Sequence, residues 1–110
     1  MNFHTQEMFL YKDGELFLSL PAIIKSYLIF NNTIVLLVAN NPVVGEQNVF
    51  CYDILGDLKW QVPKPFKLHS ENYFTSIYFQ ESELYAYSIS GVEYLLDKET
   101  GNIINSQLIK

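Results

Sequence analysis

The one thiol and the two imidazoles of this chain, Cys51, His4 and His69, lie far apart in sequence. A cysteine nucleophile needs a base or a positive charge beside it to hold its thiolate. Cys51 sits instead in the apolar run Val49-Phe50-Cys51-Tyr52, and a buried, inert thiol is expected. With a single cysteine no intrachain disulfide can form, and a lone free thiol fits a reducing, cytoplasmic setting. Asn2–His4 and His69-Ser70-Glu71 could each give part of a polar pocket, but loop histidines of this kind are ordinarily solvated. The run Asp97-Lys98-Glu99-Thr100-Gly101-Asn102 places oxygen donors around a glycine. It lacks the alternating Asp/Asn spacing and distal glutamate of a calcium loop, so a hydrogen-bonded β-turn is the expectation. His-x-x-x-His, Cys-x-x-Cys, Gly-x-Ser-x-Gly and phosphate-cradling glycine motifs are all missing. The sequence therefore predicts no catalytic residues, no metal, no cofactor and no enzyme activity.

Charge points towards binding. The net charge is −5, and every cation is a lysine. Nucleic-acid binders neutralise phosphates with clustered Lys and Arg and read bases with Arg, so a nucleic-acid partner is not expected. Anionic lipid would repel the chain as well. The acids are unevenly placed. Residues 1–67 hold six acids against five lysines, whereas residues 68–99 hold Glu71, Glu81, Glu83, Glu93, Asp97 and Glu99 against Lys98 alone. The same segment carries Tyr78, Tyr85, Tyr87 and Tyr94. Tyrosine offers a large rigid ring with a polar tip, and unpaired carboxylates steer a basic partner by their field. The candidate partner-binding set is accordingly Glu71, Tyr78, Glu81, Glu83, Tyr85, Tyr87, Glu93, Tyr94 and Glu99. The plainer reading makes the tyrosines core and the glutamates solubilising groups at turns.

The elements that must position these residues are strands. Aromatic residues make up 15% and charged residues only 17%, which suits pleated, half-buried surfaces and excludes disorder. About ten short antiparallel strands are expected, at Glu7–Lys12, Glu15–Leu20, Ile23–Phe30, Thr33–Ala39, Gln47–Asp53, Asp57–Val62, Tyr73–Gln80, Glu83–Ile89, Val92–Asp97 and Asn102–Leu108. Asp13-Gly14, Asn31-Asn32, Gly56, Glu81-Ser82, Ser90-Gly91 and Thr100-Gly101 supply the turns. In Gln47–Asp53 and Glu83–Ile89 both faces are apolar or aromatic. Such strands are either covered on both sides or present an aromatic face to a partner. Helix is weaker everywhere, its best stretch being Ile23–Phe30 after Pro21. Residues 26–45 carry no charge, but Asn31-Asn32 and Asn40-Asn41-Pro42 break that run into hairpin-length pieces, so no membrane span is expected. His4, Glu7, Lys12 and Asp13 interrupt any signal-peptide core. The fold class is all-β: one domain, 1–110, of repeated hairpins in an open sheet, a sandwich or an incomplete propeller-like stack.

The hairpins repeat. QNVFCYDILGDLKW at 47–60 and GVEYLLDKETGNII at 91–104 share an apolar run ending in Asp, a turn to Gly and a return strand, and MFLYKDGELF at 8–17 is a weaker copy. This divides the chain into a half-unit, 1–20, and two full units, 23–62 and 73–108, with Pro63-Lys64-Pro65 as a stiff connector. Asp97, Thr100 and Gly101, with Asp53, Gly56 and Trp60, resemble the pattern that ends each blade of quinoprotein-like (PQQ-type) β-propellers. That resemblance implies blade-like four-stranded sheets, in a number too small to close a ring of blades.

In size and acidity the chain also resembles small immunity proteins of bacterial toxin–immunity systems, including contact-dependent growth inhibition. This implies a cytoplasmic, non-enzymatic protein that binds a cognate basic toxin, often a nuclease, and covers its active site. Two alternatives remain at this level: a propeller-like module that completes itself by oligomerising, and a small ligand-binding or hydrolytic β-domain built around His4 or His69.

Overall fold

The structure, a computed structural model, describes residues 1–65 and 71–109. Eleven strands follow in chain order: β1 Phe3–Gln6, β2 Phe9–Lys12, β3 Glu15–Ser19, β4 Ile24–Phe30, β5 Thr33–Val38, β6 Val49–Asp53, β7 Leu58–Gln61, β8 Phe74–Gln80, β9 Glu83–Ser88, β10 Val92–Leu96 and β11 Ile103–Leu108. The described residues contain no helix, and Ile24–Phe30 is a strand, as its β-branched content favours. All pairings are antiparallel, and they build three meanders: β1-β2-β3, β4-β5-β6-β7 and β8-β9-β10-β11. The protein is thus all-β and open.

Turn chemistry accounts for the hairpins. Asn31 and Asn32 both have positive φ, as do Glu81 and Ser82, the backbone that matches strand twist in two-residue turns. Asparagine tolerates this conformation; Glu81 and Ser82 are held in it by the flanking pair Gln80↔Glu83. Each of the ten strands expected from the sequence is present within two residues of its expected ends. The eleventh, β1, has no counterpart among them, because Phe-His-Thr-Gln shows no apolar alternation. A tight turn at Glu7 (φ 55°) joins it to β2, so the first unit has three strands in place of the expected two.

The three sheets stack through two cores. Leu10, Leu18 and Leu20 of the first unit pack with Ile24, Ile34, Leu36, Val38 and Phe50 of the second. Val35, Leu37, Val49, Cys51, Trp60 and Val62 of the second pack with Phe74, Ile77, Leu84, Ala86, Tyr94 and Leu96 of the third. The middle sheet is covered on both faces, and every residue of β5 is buried. This explains the strand 47–53 with two apolar faces.

The second and third sheets are copies in register. Leu28, Val35, Cys51 and Trp60 form one row across the middle sheet. Tyr78, Tyr85, Leu95 and Asn105 form the matching row in the third. Bulges recur at Ile24/Ser26 and Phe74/Ser76, and again at Cys51/Tyr52 and Leu95/Leu96. The first sheet repeats the pattern with Leu10 opposite Leu18 and a bulge at Leu10/Tyr11. Matching faces and bulges sets Leu10 against Cys51, so the alignment of Asp13 with Asp53 is out by one residue. The shorter Asp13-Gly14 turn is the cause.

Each junction is also closed by a turn. Trp60 Nε1 donates to Lys98 O at 2.9 Å, and buried Gly101 (φ +76°) lies against the indole. Gly56 (φ +96°) sits against Phe17 in a looser version of the same contact. Between the second and third sheets, buried Asn48 acts as a strut. Its Nδ2 donates to Val38 O and Phe74 O, each at 2.8 Å, and its Oδ1 accepts from Phe74 N at 3.0 Å.

Candidate functional site

Side chains alternate across a strand, so each residue row of the third sheet faces either the middle sheet or outward. Leu84, Ala86, Ser88, Tyr94 and Leu96 face inward and are buried. The outward rows are Tyr78-Tyr85-Leu95-Asn105 and Ser76-Tyr87-Glu93-Gln107. In the middle sheet the same two rows are Leu28-Val35-Cys51-Trp60 and Ser26-Leu37-Val49, with Val62 bonded opposite Val49. Leu28, Val35, Leu37, Val49, Trp60 and Val62, which belong to or pack against the core in the middle sheet, have Tyr78, Tyr85, Tyr87, Glu93, Asn105 and Gln107 as their counterparts in the third.

This outer face is internally ordered. Tyr78 and Tyr85 stack with ring centroids 5.8 Å apart and planes 16° from parallel. The Tyr78 hydroxyl donates a short hydrogen bond to Glu93 Oε2. Burial, that bond and the carboxylate's charge push the Tyr78 phenol above its ordinary range, so it stays a neutral donor. Glu93, Tyr85, Leu95, Asn105 and Gln107 line a shallow depression of about 90 Å³. The tyrosines are half-buried against one another and keep their outer edges in solvent. Rings fixed in this way lose little entropy when a partner covers them.

The nine sequence-predicted residues divide by position. Tyr78, Tyr85, Tyr87, Glu83 and Glu93 share the outer face, as the strand register requires. Glu81 sits at the tip of the adjoining β8–β9 turn. Glu99 lies in the β10–β11 turn at the same end, where it pairs with Lys59 of the middle sheet at 3.6 Å. Glu71 precedes β8 at the opposite end, exposed. Tyr94 does not belong to the face: it is 3% exposed and points into the core. Its hydroxyl accepts from Asn72 Nδ2 at 2.7 Å. One residue of offset along β10 separates it from Glu93, and period-two geometry sends it inward. Leu95, Asn105 and Gln107 complete the face through the pairs Leu95↔Asn105 and Glu93↔Gln107, and lie outside the predicted set because that set rests on carboxylates and tyrosines, which these residues are not.

The other candidates are used structurally. Cys51 is fully buried. Burial pushes its thiol up to about 11, with Lys59 pulling in the other direction and Glu99 and Asp53 adding to the rise. No thiolate forms near neutral pH. The raised folded-state value means that this group's contribution to stability is full below its ordinary value of 9.0 and is lost as pH rises towards about 11. The two-unit interval corresponds to about 2–3 kcal/mol. Thermal melts between pH 8 and 11 are expected to show this loss, and Cys51→Ala to remove much of the slope; an unchanged slope would assign the alkaline sensitivity elsewhere.

Asp97 Oδ1 accepts from Glu99 N at 2.8 Å and Thr100 N at 3.3 Å, and Asp53 Oδ1 accepts from Leu55 N and Asp57 N in the same way. Both aspartates close turns. His4 stacks on Tyr11 on the exposed face of the first sheet, with centroids 4.8 Å apart. His69 lies outside the described residues. Among those residues, no three His, Cys, Asp or Glu side chains gather as metal ligands, and no helix is long and apolar enough to cross a membrane.

The architecture is similar to that in the crystal structure of the computationally designed Ika8 protein, with a TM-score of 0.66 at 13% identity. The match takes in 94% of this chain and 31% of the designed one, so this chain spans about a third of that protein's length. At that identity the likeness concerns the fold alone. No curated protein matches the chain. A family model does match, from residue 1 to residue 108, across all three sheets and both cores. The chain therefore belongs to the family described as Domain of unknown function (DUF7957).

Proposed function

We propose that this protein is a non-enzymatic binding module whose partner docks on the outer face of the third sheet. The observation that carries this reading is the register match: positions that form core in the middle sheet hold Tyr78, Tyr85, Tyr87, Glu93, Asn105 and Gln107 in the third. Solubility alone would be served by lysines and glutamates. Clustered tyrosines and amides around one carboxylate are the composition of an interface. The same face is ill-suited to accept a further sheet by apolar stacking, which weakens the reading as a module that completes a ring through that face.

Glu81 and Glu83 edge the face, and the chain carries a net charge of −5, so the partner is basic. In this reading the protein acts in the cytoplasm as an immunity protein. It neutralises a cognate basic toxin, of the contact-dependent growth inhibition kind and nuclease-like in charge, by covering its active site.

Co-expression with the product of the neighbouring toxin-like reading frame tests this. The wild-type chain is expected to protect cells. Tyr85→Ala with Tyr87→Ala is expected to weaken binding by about 100-fold or more, as paired aromatic hot spots do. Glu81→Lys with Glu83→Lys is expected to slow association and to flatten its dependence on salt. Full affinity in both double variants would remove this face as the binding site.

A further inference from the structure

The three-sheet stack leaves strand edges on both flanks, and most are blocked. Phe3 O of β1 accepts from Tyr27 Oη, and Glu7 O, just beyond β1, accepts from Ile24 N. Phe74 at the start of β8 is bonded through both N and O to Asn48. β3, β4 and β7 carry Glu15, Lys25 and Lys59. Charges of this kind are a common device against edge pairing.

β11 carries no charge, and among the described residues no group from another strand or loop caps its outward edge. Its sequence Ile-Ile-Asn-Ser-Gln-Leu contains no charge, no proline and no glycine. Ile104 is 59% and Leu108 58% exposed. Ile109 N donates to Gly91 O at 2.7 Å, which makes Gly91 and Ile109 a hydrogen-bonded pair in the β10–β11 ladder. Bonded and non-bonded pairs alternate, so Val92↔Leu108 and Tyr94↔Ser106 are non-bonded pairs. The N–H and C=O groups of Ser106 and Leu108 therefore point away from β10, along the open edge. Ser106 N is occupied by the side chain of its own neighbour, Asn105 Oδ1, at 2.9 Å.

We infer that β11 pairs antiparallel with β11 of a second copy, about a twofold axis at Ser106. In that register Ile104 meets Leu108 of the other copy, Asn105 meets Gln107, and Ser106 meets Ser106. Every cross-strand pair joins like chemistry: apolar with apolar, amide with amide, hydroxyl with hydroxyl. The outward backbone groups of Ser106 then face each other as a bonded pair, and Asn105 Oδ1 releases the N–H it holds. An acidic chain would normally repel its own copy, but this edge brings no carboxylate opposite another. Two third sheets become one eight-stranded sheet with a twofold-symmetric tyrosine face on one side. The pairing does not depend on what binds that face.

Sedimentation of the purified chain over a wide concentration range, with its mass from light scattering, tests the pairing. A monomer–dimer equilibrium is expected, weak for a specific assembly because a single edge buries little area. Ile104→Lys with Leu108→Lys sets like charges opposite each other in both halves of the interface and is expected to give a monomer. Ile104→Lys with Leu108→Glu sets opposite charges across both halves instead and is expected to restore the dimer. Far-UV circular dichroism checks that both variants stay folded. A wild-type chain that remains monomeric at millimolar concentration overturns the inference. So does a dimer that survives the double-lysine variant, or one that the mixed-charge variant fails to restore.

Discussion

Gly101→Ala is expected to destabilise the protein by about 3 kcal/mol or more, far beyond an ordinary surface change. Two costs combine. An alanine at φ +76° pays about 1–2 kcal/mol for the left-handed conformation. Its Cβ would also lie 2.3 Å from Trp60 Cε3, well inside contact distance, so the indole must leave its seat. That seat is where Trp60 Nε1 meets Lys98 O and where the β10–β11 turn locks onto the middle sheet. Trp60→Ala alone is expected to cost about 3–5 kcal/mol through lost burial and the cavity left behind.

The two effects are not additive. With the indole gone, Gly101→Ala is expected to cost only its backbone share, about 1–2 kcal/mol. Urea denaturation of the four species gives the coupling from midpoints at constant slope. Equal costs of Gly101→Ala in both backgrounds would mean that the indole is not what excludes a Cβ there.

Asn48→Ala is expected to lose about 3–5 kcal/mol, because each buried group left unpaired costs about 1–3 kcal/mol. The side chain is 1% exposed and satisfies three backbone groups, on Val38 and Phe74, that no solvent reaches. Asn48→Asp separates this account from simple packing loss, since its volume is nearly unchanged. The new carboxylate keeps the acceptor for Phe74 N but turns a second oxygen towards two carbonyls. Burial and those carbonyls favour its protonated form, so its folded-state value rises above the unfolded one of about 3.9. Stability is then present below the unfolded value and lost as pH rises. Asn48→Asp is expected to be strongly destabilised at about pH 7 and to recover relative to wild type near pH 4, as urea titrations at the two values would report. A pH-independent deficit would point to packing instead of the hydrogen bonds.

The Asn48 strut and the Gly101–Trp60 lock were legible only in part. Asp97, Thr100 and Gly101 stand out in the sequence because their spacing closes a turn. That the turn's glycine must also admit a tryptophan from another sheet is a statement about the stack. Asn48 carries no local signal at all, since its three partners lie at Val38 and Phe74.

The tyrosines divide in the same way. Tyr85 and Tyr87 sit two apart on β9 and share a face by strand geometry, so their common side can be read directly. Whether that side is core or surface cannot. The strand 47–53 has the same two-sided apolar pattern and is covered on both faces, because a sheet lies on either side of it. The strand 83–88 is covered on one face, because among the described residues a sheet lies against that face alone.

Sequence alone thus determined the hairpins, their turns and the repeat, all of which depend on backbone preferences and alternation within a few residues. It also determined the concentration of acid and tyrosine in the last unit. The tertiary structure decided which copy is inner and which is terminal, and with it the fate of each row: Leu28-Val35-Cys51-Trp60 became core, and Tyr78-Tyr85-Leu95-Asn105 became a face. Two copies with one register cannot announce their positions locally. Burial is a property of the neighbour, and only the stack supplies the neighbour.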